Sequence, residues 1–225
     1  MGDVGVYQAT EHAAGKTPTR VGLLGAGAQA REVASYLPSG TEVFWAVSAT
    51  HLDLNATDQI DIASPSSAAR DLPVVGAVGA PALRRELVAA WPGKRFLTVV
   101  STAAYIDSSC LIGDGVVIAP GAVLTVDVVV GDHCQVNIGA TISHDVRLGS
   151  FVTVGPGAHI SGHVHLGDGV FVGVGASISN NVSIASGVVI AAGATVLADV
   201  MTPNAVVAGV PASVVKTRNG WLDVL

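Results

Sequence analysis

His144 and Asp145 stand side by side in a stretch made mostly of Val, Ile, Leu, Ala and Gly. An imidazole that titrates near neutral pH can take a proton from an attacking amine or hydroxyl, and a carboxylate beside it can orient the ring. The plainer alternatives are a surface histidine in a turn and an aspartate making a corner hydrogen bond. His133, His159, His163 and His165 raise the idea of a zinc site. They fall at the fourth, sixth, fourth and sixth places of a six-residue repeat, so solvated turns account for them better. Gly25-Ala26-Gly27 is a turn of the kind that cradles a diphosphate at a helix N-terminus. The third glycine of a dinucleotide fingerprint is missing, with Ala30 in its place, and NAD binding is rejected. Lys216 and Arg218 are the only Lys or Arg after Arg147 and are candidates for holding a phosphate.

The repeat that carries His144 is the strongest signal in the chain. From Ile106 to Val196 every sixth residue is Ile, Leu or Val, sixteen in succession. Those types fill 65 of 225 positions, so chance predicts between four and five. The fifth place, from Cys110 to Val200, is always Val, Ala or Cys, and from Ala122 every third one is Ala. This is the pattern of hexapeptide parallel β-helix repeats. Each hexad forms one side of a three-sided coil, its first residue filling the interior and its fifth lying at a crowded corner. Residue n then stacks over n−18 at about 4.8 Å, giving a prism on the order of 25 Å tall. His144, at a third place, is expected on an outer corner, with Val126 one coil below and Gly162 one coil above. Gly162 is expected to leave room for a carbonyl and to offer its N–H to an oxyanion. The register also puts Asp127, Asp145 and His163 in one column. Glycines at the second place, Gly113, Gly131, Gly149, Gly155, Gly167 and Gly173, are expected to ease the turns. The open ends of the prism are expected to be covered by the flanking segments.

The first hundred residues read differently. They hold eight Lys or Arg and nine Asp or Glu, against three and eight in the rest. Strands are expected over 21–24, 43–47, 73–78 and 96–100, with helices over 30–37 and 82–90, a small parallel α/β unit. The divisions are a flexible leader over 1–19, the α/β domain over 20–100, the β-helix over 101–201 and a C-terminal segment over 202–225.

Composition narrows the classes. Half the residues are apolar, 12% are charged and the net charge is −6. That excludes disorder and disfavours nucleic acid as a partner. Mean hydropathy is high at +0.57, yet no uninterrupted apolar run approaches about 18 residues, so no membrane helix is expected. No secretory signal is expected, and Cys110 and Cys134 define no disulfide framework. A reducing cytoplasm is the expected location.

Five pieces of sequence carry a family resemblance. They are Leu24-Gly25-Ala26-Gly27 with Arg31-Glu32-Val33-Ala34; Ala77-Val78-Gly79 with Leu83-Arg84; Val136-Asn137-Ile138-Gly139; Ser143-His144-Asp145; and Pro203 to Ala212. Together with the hexads, these resemble the sialic-acid O-acetyltransferase/amino-sugar N-acetyltransferase family of left-handed β-helix acyltransferases, over residues 20–216. The resemblance implies a Rossmann-like α/β unit before the β-helix, a homotrimer, and acetyl-CoA held between neighbouring prisms as co-substrate with no metal. It makes His144 the general base and gives Asp145 a catalytic place. It implies substrate contacts at Gly25, Ala26, Gly27, Gly79 and Asn137. It implies acyl-CoA contacts at Thr153, Gly162, Val174, Ala192 and Lys216. The acceptor implied is an amino sugar, nucleotide-linked. O-acetylation of a sialic-acid-like sugar and a non-catalytic scaffold with a ligand-sensing α/β domain are the alternatives. The chain departs from the pattern at Ala28-Gln29, where Gly-His is usual. It lacks the usual Asp after the second strand, has Val100-Ser101 in place of His-Pro, and has Thr153 in place of a His.

Overall fold

The computed structural model describes residues 18–53 and 55–224. Of the expected leader, residues 1–17 lie outside the described residues. Four strands, β1 (Arg20–Leu24), β2 (Glu42–Val47), β3 (Gln59–Asp61) and β4 (Val74–Gly76), form a parallel sheet in the order β3-β2-β1-β4. Helices α1 (Ala28–Ser35), α2 (Ser67–Arg70) and α3 (Pro81–Ala90) connect and flank it. The short run Val21 to Leu24 is buried throughout, as a strand covered on both faces must be. β3 and α2 are too short to leave a periodic signal in the sequence.

The expected strand over 96–100 is divided between two sheets. Phe96 makes one bridge to Val74 of β4, and then β5 (Val99–Val100) pairs with Val117–Ile118 in the prism. The prism thus begins before residue 101. The cause is the repeat itself, since Val100 is six residues before Ile106.

From β5 to β21 (Thr195–Val196) the chain forms two-residue strands joined by turns. They stack into three sheets, and each strand pairs in parallel with those eighteen residues away, as Thr141↔His159 and Ile142↔Ile160 show. Every fourth place from Gly115 to Gly193 has φ between 57° and 72°, whether Gly, Asp, His, Phe or Asn. The turn residue is therefore the fourth of each hexad. The second-place glycines answer a different need: a Cβ on Gly131 would lie 2.6 Å from the backbone of Gly149. They permit close stacking at the corners and do not make the turns.

First-place side chains fill the interior, and Ala122, Ala140, Ala158, Ala176 and Ala194 lie within 1% of complete burial beside them. Ala158→Leu should therefore overpack one corner and cost about 1–3 kcal/mol in urea unfolding. An unchanged midpoint would show that the corner has slack.

The C-terminal segment is not separate from the prism. β22 (Ala205–Gly209) pairs in parallel with Val189–Ile190, and β23 (Ala212–Thr217) folds back antiparallel on β22. The α/β unit covers one flank of the prism and not its end. Val99, Val117 and Ala119 pack with Val21, Leu23, Val33, Leu37 and Val75 in one cluster. Trp221 then lies against Gly169, with the Arg85 guanidinium 4.0 Å from its ring centroid, and Ala82 N–H donates to the Leu222 carbonyl. Among the described residues no helix is long and apolar enough to cross a membrane.

Candidate active site

The three faces of the prism have distinct surroundings. The first, which includes Gln135–Val136 and Thr153–Val154, is covered by the α/β unit. The second, which includes Thr141–Ile142, and the third, which includes Arg147–Leu148, are free of it. His144 lies at the corner between the second and third faces, in the column Ser108, Val126, His144, Gly162, Asn180. The corner between the first and second faces carries Pro120, Ile138, Pro156, Val174 and Ala192. Ile138 is 47% and Val174 56% exposed. One edge of the prism is thus an unpartnered apolar ridge.

At the histidine corner, Nδ1 of His144 is 2.8 Å from Oδ2 of Asp145. The side chains are 52% and 45% exposed. Sequence neighbours on a flat strand point to opposite sides. Here Asp145 has φ 60°, and the left-handed turn brings both side chains to one spot. The hydrogen bond from His144 holds the Asp145 carboxyl below the usual carboxylate range. A carboxylate can only accept, so Nδ1 carries the proton and the Nε2 lone pair is free. The His163 ring lies edge-on to His144 with centroids 5.0 Å apart, and its Nδ1 is 3.8 Å from the same Asp145 oxygen.

The space over Gly162 differs from expectation. A Cβ there would lie 2.6 Å from Cε1 and 2.7 Å from Nε2 of His144. The glycine gap holds the imidazole itself and not an open slot for a carbonyl.

Thr153 is also corrected as an acyl-CoA contact. It is 2% exposed; its hydroxyl donates to the Gly79 carbonyl at 2.7 Å and accepts from Arg84 at 2.9 Å. It lies buried on the first face, which the α/β unit covers. Gly79 is held in the same contact and is not among the residues lining the cavity of the α/β unit. Asn137 is buried, its Nδ2 donating to the Val154 carbonyl and its Oδ1 accepting from Gln29 of α1 at 3.2 Å. Lys216 is exposed on β23, whereas Arg218 is paired with Asp223 at 2.6 Å.

Gly25, Ala26 and Gly27 line a cavity of about 780 Å³ between the start of α1 and the side of α3. Val47, Ile62, Val78, Leu83 and Leu87 make its walls apolar, and Ser48, His51, Gln59 and Glu86 supply polar groups. The lining among the described residues has no Lys or Arg, so the backbone at the α1 N-terminus is its main provision for an anion.

Two residues at the junction stand in the sequence without a role. Gln29, marked in the sequence only as a departure where His is usual, joins α1 to the prism. Arg84 is fully buried with six hydrogen-bonding partners. Its signal was a lone cation on the α3 face shared by Ala80, Leu87 and Val88.

No protein-family model and no curated protein matches the chain. Solved structures do match. A His-to-Asn variant of perosamine N-acetyltransferase from Caulobacter crescentus, in complex with CoA and GDP-perosamine, is 26% identical over 90% of this chain and 97% of that one, with a TM-score of 0.76. The acetyltransferase domain of PglB from Neisseria gonorrhoeae, in complex with acetyl coenzyme A, is 29% identical over 88% of this chain and 100% of that one, with a TM-score of 0.75. WeeI from Acinetobacter baumannii is 26% identical over 87% and 99%, with a TM-score of 0.73. Beside the stacked hexads and the exposed His-Asp corner, these likenesses make the chain similar, over 87–90% of its length, to solved hexapeptide-repeat acyltransferases. Its structural neighbours are acetyl-CoA-dependent sugar N-acetyltransferases.

Proposed function

We propose that the chain acetylates the amine of a nucleotide-linked amino sugar, with acetyl-CoA as donor and His144 as general base. The observation that carries this reading is the 2.8 Å contact between His144 Nδ1 and Asp145, which leaves Nε2 able to accept a proton at an exposed corner. The amine nitrogen attacks the thioester carbonyl carbon and its proton passes to Nε2. The tetrahedral oxyanion collapses, the carbon–sulfur bond breaks, and the CoA thiolate leaves with that proton. Gly162, directly over the ring, is close enough for its backbone N–H to serve the oxyanion. In this reading the prism is left-handed and the preceding unit Rossmann-like; the parallel strand order β3-β2-β1-β4 with a glycine turn before α1 supports the second. The α/β cavity, lined by Gly25, Ala26 and Gly27, receives the nucleotide.

In one chain the Asn137 corner and the His144 corner are separated by the whole second face. The working site therefore needs two chains, and the apolar ridge of Ile138, Val174 and Ala192 supports a homotrimer in which acyl-CoA lies between prisms, with Lys216 toward its phosphates. Sedimentation should give three times 22.5 kDa. Cys110 and Cys134 are free thiols, which suits a cytoplasmic enzyme.

The reading is tested by thiol release from acetyl-CoA with a panel of free and nucleotide-linked amino sugars. Release only with a nucleotide-linked amine is expected; no release with any acceptor would overturn it. Asp145→Asn removes the fixed proton acceptor at Nδ1 and should lower kcat by about 10- to 100-fold while leaving the KM for acetyl-CoA unchanged. Because the Asp145 carboxyl titrates below the usual range, its contribution is lost only as pH falls through that lowered value. The deficit should therefore be constant from about pH 7 to 9.

A further inference from the structure

His144, Asp145 and His163 have a geometry that general-base chemistry does not use. One ligand-type atom from each lies within 4.8 Å of those of the other two. Nδ1 of His144 and Nδ1 of His163 approach the same Asp145 oxygen, at 2.8 Å and 3.8 Å. Around a tetrahedral zinc ion with bonds of about 2.0 Å, ligand atoms stand about 3.3 Å apart. The two observed distances lie on either side of that value and no ligand atom is more than 4.8 Å from another, so side-chain shifts of at most about 1.5 Å would complete three corners of a tetrahedron. Asp145 and His163 are both fourth-place residues with φ near 60°, one directly above the other. The stacked turns therefore hold the ligands, and no loop must fold to bring them together. All three side chains are close to half exposed, which leaves the fourth position open to water.

We propose that these three residues form a site for a borderline divalent cation such as Zn²⁺, and that its occupation turns the enzyme off. The second half rests on His144 being the base. The metal takes the Nδ1 lone pair, and the single proton that Nδ1 donated to Asp145 passes through solvent to Nε2, giving the other neutral tautomer. Nε2 then has no lone pair to accept the proton of the attacking amine. Inhibition follows from reversal of the tautomer, without any need to block the substrate.

The test uses the intact, untagged protein and ZnCl₂ alone. Calorimetric titration without substrates should give one Zn²⁺ per chain. His163→Asn keeps a residue that tolerates the left-handed turn, removes one ligand, and lies outside the proposed proton path. It should weaken zinc binding at least tenfold while keeping thioester turnover near that of the unaltered protein. In the unaltered protein, zinc should suppress turnover over the concentration range in which it binds, and His163→Asn should resist this. Binding below one ion per chain, or equal affinity in His163→Asn, would overturn the site. Full turnover with the site saturated would overturn the switch alone. A protein that binds zinc as described but turns over no acceptor would leave the site standing and sink the acyltransferase reading.

Discussion

Replacing His144 with Ala should lower kcat by about 10²- to 10⁴-fold, the range expected for removal of a general base. Nε2 of this residue is the proton acceptor in the proposed step, since Nδ1 is committed to Asp145. Binding of acetyl-CoA, followed by calorimetry, should persist because the substitution deletes no group proposed to hold the donor. The prism should also persist, since the side chain is half exposed and fills no core position. A variant with unaltered turnover would remove His144 from the mechanism. A variant that lost both turnover and acetyl-CoA binding would indicate a positioning role instead.

Arg84→Lys should be the most damaging substitution outside the prism core. The guanidinium donates to the carbonyls of Val78 and Gly79 in its own unit, and to those of His133, Phe151 and Val152 and the hydroxyl of Thr153 in the prism. Burial lowers its pKa to about 10, so it remains charged at neutral pH. None of those six partners is a carboxylate; carbonyl dipoles carry the compensation. A lysine has three donors on one nitrogen and cannot span the same fork. Several buried carbonyls would be left unpaired at about 1–3 kcal/mol each before relaxation. A loss of roughly 3–5 kcal/mol in urea unfolding is expected, with cleavage by protease appearing first in the 93–98 linker as the α/β unit lifts away. A change under about 1 kcal/mol would mean that water enters and replaces the lost donors.

Much of the prism was legible because its rule is local and repeated. Each hexad must supply one branched residue for the interior and one small residue for the corner, and stacking applies the same demand eighteen residues later. The same rule placed His144 on an outer corner. It erred on the glycines, because six-residue periodicity does not tell a turn that needs positive φ from a position where two backbones approach within a Cβ radius. Gly131 is of the second kind, and Asp145 performs the first with a side chain. The strand over 96–100 was misassigned because an apolar run has no preference between two sheets. The shared register of Val100 with Ile106 decides that, and it becomes visible only when Val99 pairs with Val117.

Thr153 shows where a linear reading fails. Its expected contact with acyl-CoA rests only on the resemblance, which places a ligand-contacting residue there. Which of three outward faces the α/β unit covers depends on the direction in which the chain enters the first coil. That is settled by packing of Val21, Leu23 and Val75 on Val99 and Val117, and by the Arg84 fork. The sequence by itself determined the coil, its period and the corner that bears an imidazole, since those follow from side-chain volume at fixed spacing. Only the tertiary structure decided which face is closed and that the space beside Gly162 is filled by the His144 ring; the column of Asp145 and His163 was already set by the register. The eighteen-residue period stacks these columns, but which face the α/β unit closes and how each side chain turns at its corner depend on packing that the period does not specify.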